Sequence, residues 1–188
     1  LLRSFSIEKS VEATLKNNLR NGSYKDYFEN GKIENEGMYK DDKEEGIHKE
    51  YYPNGKIQSK QFFINNRKAG IWQYFYENGK LKTEIVYNIM SNEEEGIMKN
   101  YDEKGVIISE GKIINDNMAG IWNHYDEKGR KNYTYNFEKG IVIIYDEKGK
   151  AILQLSEKDL AERFQEIQQE INDDRIRANE EKNWWNRW

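Results

Sequence analysis

The sequence contains no cysteine, which excludes disulfides, thiol nucleophiles and Cys-based zinc sites together. No stretch approaches the ~18 apolar residues of a membrane-spanning helix. Hydrophobic residues make up 36% of the 188, below the 45–50% or so of ordinary domains, while 34% are charged and 13% aromatic. Few aliphatics with many aromatics point to a thin, sheet-rich structure rather than one thick core. The net charge is −4, so the basic surface that counterion release on DNA or RNA requires is missing. Histidine occurs twice, at His48 and His124, and neither lies in a metal-binding pattern such as His-Glu-x-x-His. Asn115-Asp116-Asn117 begins like a calcium loop, but no acid follows at the twelfth position. The repeated Gly-Lys pairs lack the spacing and the Ser or Thr of a phosphate loop. The expectation is a protein that is not an enzyme, with no cofactor and no metal site.

What is present is repetition. Gly22, Gly46, Gly70, Gly96, Gly120 and Gly140 are each followed nine residues later by Gly31, Gly55, Gly79, Gly105, Gly129 and Gly149. The steps between copies are 24, 24, 26, 24 and 20 residues, so the third copy carries an insertion near Ser91 and Asn92 and the fifth is shortened. A fixed period of this length is the signature of a repeat architecture. Each block runs from a short β-rich segment into a turn, as in Gly70-Ile71-Trp72-Gln73-Tyr74-Phe75-Tyr76-Glu77-Asn78-Gly79. The turn reads Asn-Gly at residues 30–31, 54–55 and 78–79 and Lys-Gly at 104–105, 128–129 and 148–149. Lys tolerates a positive φ poorly, so the turn expected throughout is type I with a G1 bulge, which demands the left-handed conformation only at Gly.

Second strands are expected over residues 32–40, 56–64, 80–88 and 106–114. The same register places a half repeat at residues 8–16, although Ser6-Ile7-Glu8-Lys9 also reads as a helix cap. A last strand over 150–155 precedes Ser156-Glu157-Lys158-Asp159, which resembles a capping box with Asp in place of Glu or Gln. Leu160, Phe164, Ile167 and Ile171 then form one apolar stripe at helical spacing. Nine acids against six bases from residue 156 onward hold −3 of the chain's −4. The expected organisation is a β-hairpin repeat domain over 1–155 and a helix with a Trp-rich tail over 156–188. The repeats stack into one elongated antiparallel meander of about six hairpins, all-β, with thirteen strands at about 4.8 Å running roughly 60 Å.

The motifs Gly-Ile-Trp-x-x-Tyr, Tyr52-Pro53-Asn54-Gly55-Lys56-Ile57 and Glu-x-x-Tyr in the second strands (Glu36/Tyr39, Glu84/Tyr87) resemble the bacterial MORN-variant repeat, the kind found in YwqK-type antitoxins. The resemblance covers about two-thirds of the chain and implies a MORN-like sheet serving as an interaction scaffold. It implies a protein partner, a toxin in the antitoxin-like or immunity-like case; the alternative is a lipid or cell-surface binding module. Localisation stays open. An antitoxin-like role implies the cytoplasm, and the start at Leu1 without Met leaves room for a removed export signal.

Positions one and five after each first Gly are Ile and aromatic in most copies (Ile47/Tyr51, Ile71/Phe75, Ile121/Tyr125), which assigns that face to packing. Positions two and four vary more (His48/Glu50, Trp72/Tyr74, Met98/Asn100, Trp122/His124), which assigns the other face to recognition. Partner-binding candidates are therefore Trp72, Tyr74, Trp122 and His124, with Trp184, Trp185 and Trp188 of the tail. A recurrent Trp in a thin sheet is also what a structural ring would look like. The glutamates Glu12, Glu36, Glu84 and Glu110 form a ladder that cross-strand Lys and Tyr partners explain more cheaply than a cation does. The acidic tail argues against anionic membranes, and an open sheet needs its edges capped.

Overall fold

The computed structural model describes residues 11–16 and 18–163. The strands are β1 (Val11–Lys16), β2 (Leu19–Tyr27), β3 (Ile33–Lys40), β4 (Lys43–Glu44), β5 (Gly46–Tyr51), β6 (Ile57–Ile64) and β7 (Arg67–Phe75). They continue as β8 (Leu81–Tyr87), β9 (Glu95–Tyr101), β10 (Ile107–Ile114), β11 (Asn117–Tyr125), β12 (Lys131–Asn136), β13 (Ile141–Tyr145) and β14 (Ala151–Ser156). Every strand pairs antiparallel with its sequence neighbours in a single open sheet, and the two-residue β4 sits beside β3 off the main path. This is the expected meander. β1 pairs β2, so the N-terminal half repeat is a strand over the part described.

One edge of the sheet carries the six Gly turns. Gly31, Gly55, Gly79, Gly105, Gly129 and Gly149 all have positive φ, between 74° and 93°, and the Asn or Lys before each does not. In the first of these turns Gly31 N donates to Phe28 O (2.9 Å) and Phe28 N to Lys32 O (2.8 Å), the bonding of a type I turn with a G1 bulge. The exchange of Asn for Lys has a local cause. Asn30, Asn54 and Asn78 each accept the backbone N–H two residues on, at 3.0, 2.8 and 2.9 Å. Where Lys replaces Asn, an Asp two residues earlier does this work: Asp102 accepts from Lys104 N and Val106 N, Asp126 from Lys128 N and Arg130 N, and Asp146 from Lys148 N and Lys150 N, at 2.8–2.9 Å. These bonds to backbone N–H groups hold the Asp102 and Asp126 carboxyls below the ordinary range.

The opposite edge uses different chemistry. Asp41-Asp42, Asn65-Asn66 and Asn115-Asp116 are left-handed at both residues, with φ from 49° to 67°, which makes them type I′ turns. Asn and Asp tolerate that conformation because their short side chains bond locally. Asn115-Asp116 is therefore a turn and not the start of an ion loop. Each also braces the connection before it: Asp42 accepts from Arg20 N (2.8 Å), Asn66 from Glu44 N (2.5 Å) and Asn115 from Glu94 N (3.2 Å). The inserted residues of the third copy widen the equivalent connection between β8 and β9.

After β14, residues 157–163 are helical. Ser156 Oγ donates to Asp159 Oδ2 (2.6 Å) and accepts from Asp159 N (3.2 Å), while Ser156 N donates to Asp159 Oδ2 (3.2 Å). The capping box closes with Asp. Phe164, Ile167, Ile171 and the tail tryptophans lie outside the described residues, as do residues 6–9.

Burial corrects the assignment of the two faces. The position-one isoleucines Ile47, Ile71, Ile97 and Ile121 are 48–58% exposed, whereas at position two His48 and Trp72 are 5% and Trp122 0% exposed. The alternation is as expected and its sense is inverted. Among the described residues no second layer covers the sheet to bury an aliphatic row, so the side chains that bury are those large enough to lie across the neighbouring strand. The buried cluster is Phe63, Trp72, Ile85, Tyr87, Ile113 and Trp122.

Gly37 and Gly111 make room for this. A Cβ on Gly111 would stand 2.4 Å from Trp122 Cγ, and one on Gly37 2.5 Å from His48 Nδ1. Neither glycine has positive φ, so the constraint is purely steric. Gly111→Ala is expected to cost about 1–3 kcal/mol by overpacking and distinctly less in a Trp122→Leu background, measured by urea denaturation. Equal costs in the two backgrounds would show that the indole is not what the glycine accommodates.

Candidate functional site

The ring face is organised by one recurring bond. Trp72 Nε1 donates to Phe62 O (2.9 Å) and Trp122 Nε1 to Lys112 O (2.8 Å). His48 Nε2 meets Met38 O at 2.9 Å, and in each case the carbonyl is ten residues back. The rings of Tyr24, Tyr39, His48, Phe63, Trp72 and Tyr87 follow one another at centroid distances of 4.9–5.8 Å. His48 thus takes the place of an indole, and its burial among rings leaves it no open coordination direction. Among the described residues there is no group of three His, Cys, Asp or Glu suited to a metal.

Two grooves open on this face. The central one, about 430 Å³, is lined by Trp72, Tyr74, Thr83, Tyr87, Asn100 and Asp116, with Lys68 at its side. Lys68 Nζ is held by Asp116 Oδ2 (2.5 Å) and Glu94 Oε2 (3.1 Å) and lies 5.4 Å from the Trp72 ring centroid. Burial works to lower the Lys68 ammonium, but the bonds to Asp116 and Glu94 outweigh it and raise it. Burial pushes the Tyr87 phenol up to about 12. Lys68 is thus fixed between two carboxylates beside the indole. The second groove, about 510 Å³, lies over β11–β13 and is lined by His124, Tyr133, Tyr135, Val142 and Ile144, with Leu160 of the helical turn at its edge. His124 stacks on Tyr133 at 4.2 Å, nearly parallel at 9°, and burial lowers its imidazole.

The opposite, ladder face is charged and aliphatic. Its central row runs in register Lys25, Glu36, Lys49, Lys60, Gln73, Glu84, Lys99, Glu110 and Asn123. Glu36 accepts from Lys49 Nζ (2.8 Å) and Tyr51 Oη (2.7 Å), Glu84 from Gln73 Nε2 (2.9 Å) and Glu110 from Tyr125 Oη (2.6 Å). Glu36, Glu84 and Glu110 are satisfied by cross-strand Lys, Tyr and Gln, as the pairing argument expects. Beside this row runs a second one of exposed aliphatics: Met38, Ile47, Ile71, Val86, Ile97 and Ile121. Ile71 pairs with Val86 and Val86 with Ile97. From β3 to β11 the row crosses seven strand steps, about 34 Å, with the partly buried Phe62 opposite Ile47 on β6 and Lys112 opposite Ile97 on β10.

Of the candidates, Trp72 and Trp122 lie in the core and present almost no surface to a partner. Tyr74 lines the central groove and His124 the second one, on the ring face and in separate places. Trp184, Trp185 and Trp188 lie outside the described residues. The exposed aliphatic row is the feature that the regularity of position one concealed; its signal was present, since β-branched residues recur there in every copy from Ile47 onward.

Residues 20–41, 44–65, 68–88 and 94–115 match the MORN repeat variant family. No curated protein sequence matches the chain. A solved structure, described as the crystal structure of a GtfA/B complex bound to UDP and GlcNAc, aligns at 12% identity with a TM-score of 0.27 over 67% of this chain, which spans 26% of that one.

Hydrogen bonds from Lys49 and Tyr51 hold the Glu36 carboxyl below its ordinary value of 4.5, and the bond from Tyr125 does the same for Glu110. A carboxyl lowered in the folded state stabilises the fold above its unfolded pKa, and that contribution is lost as pH falls through the folded value. A Glu36→Gln/Glu110→Gln variant is expected to be less stable than wild type at pH 7 by up to ~1 kcal/mol per site, as befits partly exposed pairs. The gap should close once the pH drops well below 4.5. Urea midpoints at pH 7 and pH 3 test this, and a gap of constant size would refute it.

Proposed function

We propose that this chain, through which four MORN-variant repeats run, is a non-catalytic scaffold that binds a protein partner on its ladder face. Repeats of this type are associated with binding to proteins and membranes. The observation that carries the reading is the row Met38, Ile47, Ile71, Val86, Ile97 and Ile121: aliphatic side chains left about half exposed on β3, β5, β7, β8, β9 and β11. From Met38 to Ile97 the row is apolar on every strand, with Phe62 filling β6, before Lys112 interrupts it on β10; an exposed apolar strip of this kind marks an interaction site. The adjoining Lys and Glu row supplies register by charge complementarity.

The resemblance to YwqK-type antitoxins supports a toxin as the partner, held by its surface in an antitoxin-like or immunity-like complex. A lipid ligand is less well served, because the charged row mixes Lys with Glu and Gln and brings only Lys49 and Lys60 side by side. Among the described residues no helix is long and apolar enough to cross a membrane.

Ile71→Ser with Ile121→Ser is expected to leave urea stability within about 1 kcal/mol, the effects of surface substitutions being small, and to abolish stoichiometric capture of the partner from the native host. Retention of the same protein by the variant would sink the ladder-face assignment. Flotation of the wild-type protein with liposomes at moderate salt would sink the protein-partner reading itself.

A further inference from the structure

The central row of the ladder face holds one charge that the sheet leaves unanswered. Four copies place a glutamate in the second strand, at Glu12, Glu36, Glu84 and Glu110, and the second copy places Lys60 there. Lys60 faces Lys49 on β5 and Gln73 on β7. Lys49 is already paired, with its Nζ 2.8 Å from Glu36 Oε1, and the Gln73 amide donates to Glu84 (2.9 Å). Lys25, Lys49 and Lys99 of the row each have a glutamate within 4.0 Å, and Lys60 has none among the described residues. Its ammonium lies instead 5.7 Å from the Phe75 ring centroid, and the side chain is half-buried.

Like charges set directly opposite one another destabilise a strand pair, and opposite charges stabilise it. A glutamate in place of Lys60 would face Lys49 as Glu36 does, so the sheet by itself favours the acid. A residue that breaks the local rule of its own fold without a compensating contact marks a group kept for something outside that fold. On the same face Lys60 is bordered by Phe62 along its own strand, by Ile47 and Tyr51 on either side of Lys49, and by Ile71 and Phe75 on either side of Gln73. An ammonium partly withdrawn from water in such a frame attracts a carboxylate more strongly than an exposed one does.

We propose that the protein partner of the ladder face sets an aspartate or glutamate side chain against Lys60, with apolar residues beside it seated on Ile47, Ile71 and Phe75. This rests on the ladder-face reading and adds the chemistry of the contact. The partner's carboxylate completes the pair that the second copy lacks, and it lies between Lys60 and the neighbouring Lys49 charge. A partner surface with a cation at that point is rejected by the same two lysines.

Lys60→Glu separates binding from folding, because the other copies carry Glu at that place. Its urea midpoint is expected to equal or exceed that of wild type, and a clear drop would overturn the proposal by showing that Lys60 serves the sheet. The protein retained by wild type from the native host is then purified and titrated against both forms. Lys60→Glu is expected to weaken its binding at least about tenfold, and Lys128→Glu, on the exposed turn edge, less than about twofold. In the wild-type complex a water-soluble carbodiimide is expected to join Lys60 Nζ to a carboxyl of the partner as an amide, the reagent taking up the lost water as its urea. Peptide mass spectrometry reads the joined residues. Equal affinity of wild type and Lys60→Glu, or cross-links that leave Lys60 out, would overturn this inference and leave the ladder-face reading standing. Retention of no protein by wild type would overturn both.

Discussion

Among the described residues the sheet has no second layer, and it builds its core within its own thickness. Here the solution is the flat ring: an indole or imidazole laid over the adjacent strand, its ring nitrogen bonded to a carbonyl ten residues back. The bond satisfies a polar group that would otherwise be buried at a cost of about 1–3 kcal/mol. It also fixes the ring's orientation, so the next ring finds an edge or face at about 5 Å. Gly111 beneath Trp122 and Gly37 beneath His48 follow from this, since any Cβ there would meet the ring. So does the fate of the other face. With burial confined to one side, the aliphatics of the other side stay exposed, and the functional proposal rests on that exposure.

The ladder face compensates by pairing. Lys and Glu set against one another across strands, with Tyr51 and Tyr125 bonded to the glutamates, turn a solvated surface into a bonded one. Each pair is worth little alone. Its larger effect is on register, because a slip by one residue would expose the rings and bury the charges.

Much of this architecture was legible in the residues. The two glycine series mark the hairpin boundaries. Lys104, Lys128 and Lys148, each standing directly before a turn glycine, are enough to select the type I turn with its bulge, and Ser156 with Asp159 marks the helix start. The sense of the two faces was not legible, because regular recurrence signals burial only where a second layer exists to receive it. In this single layer the recurrent Ile47, Ile71, Ile97 and Ile121 serve strand formation, and the variable position two does the burying. The type I′ turns were also unread, although Asp41-Asp42, Asn65-Asn66 and Asn115-Asp116 stand at matched places in three copies. The exchange of the turn asparagines for Asp102, Asp126 and Asp146 is visible in the text of the repeat but acquires meaning only with the hydrogen bonds.

Those two ways of closing the Gly turns divide the molecule mechanically. In the first half the turns lean on one another: Tyr52 Oη donates to Phe75 O (2.6 Å), Tyr76 Oη to Tyr101 O (2.7 Å), and Lys32 and Lys56 reach the carbonyls of Asn54 and Glu77. In the second half Asp102, Asp126 and Asp146 stand where a tyrosine would, and each closes only its own loop. The edge is therefore a braced truss as far as the fourth turn, and after it the fifth turn is tied to the sixth by the Arg130–Glu147 ion pair (3.3 Å), whose carboxylate is largely exposed. Torsion applied to the sheet would be resisted along the first stretch and absorbed along the second, which places the compliant end of the molecule beside the point where the chain leaves the sheet.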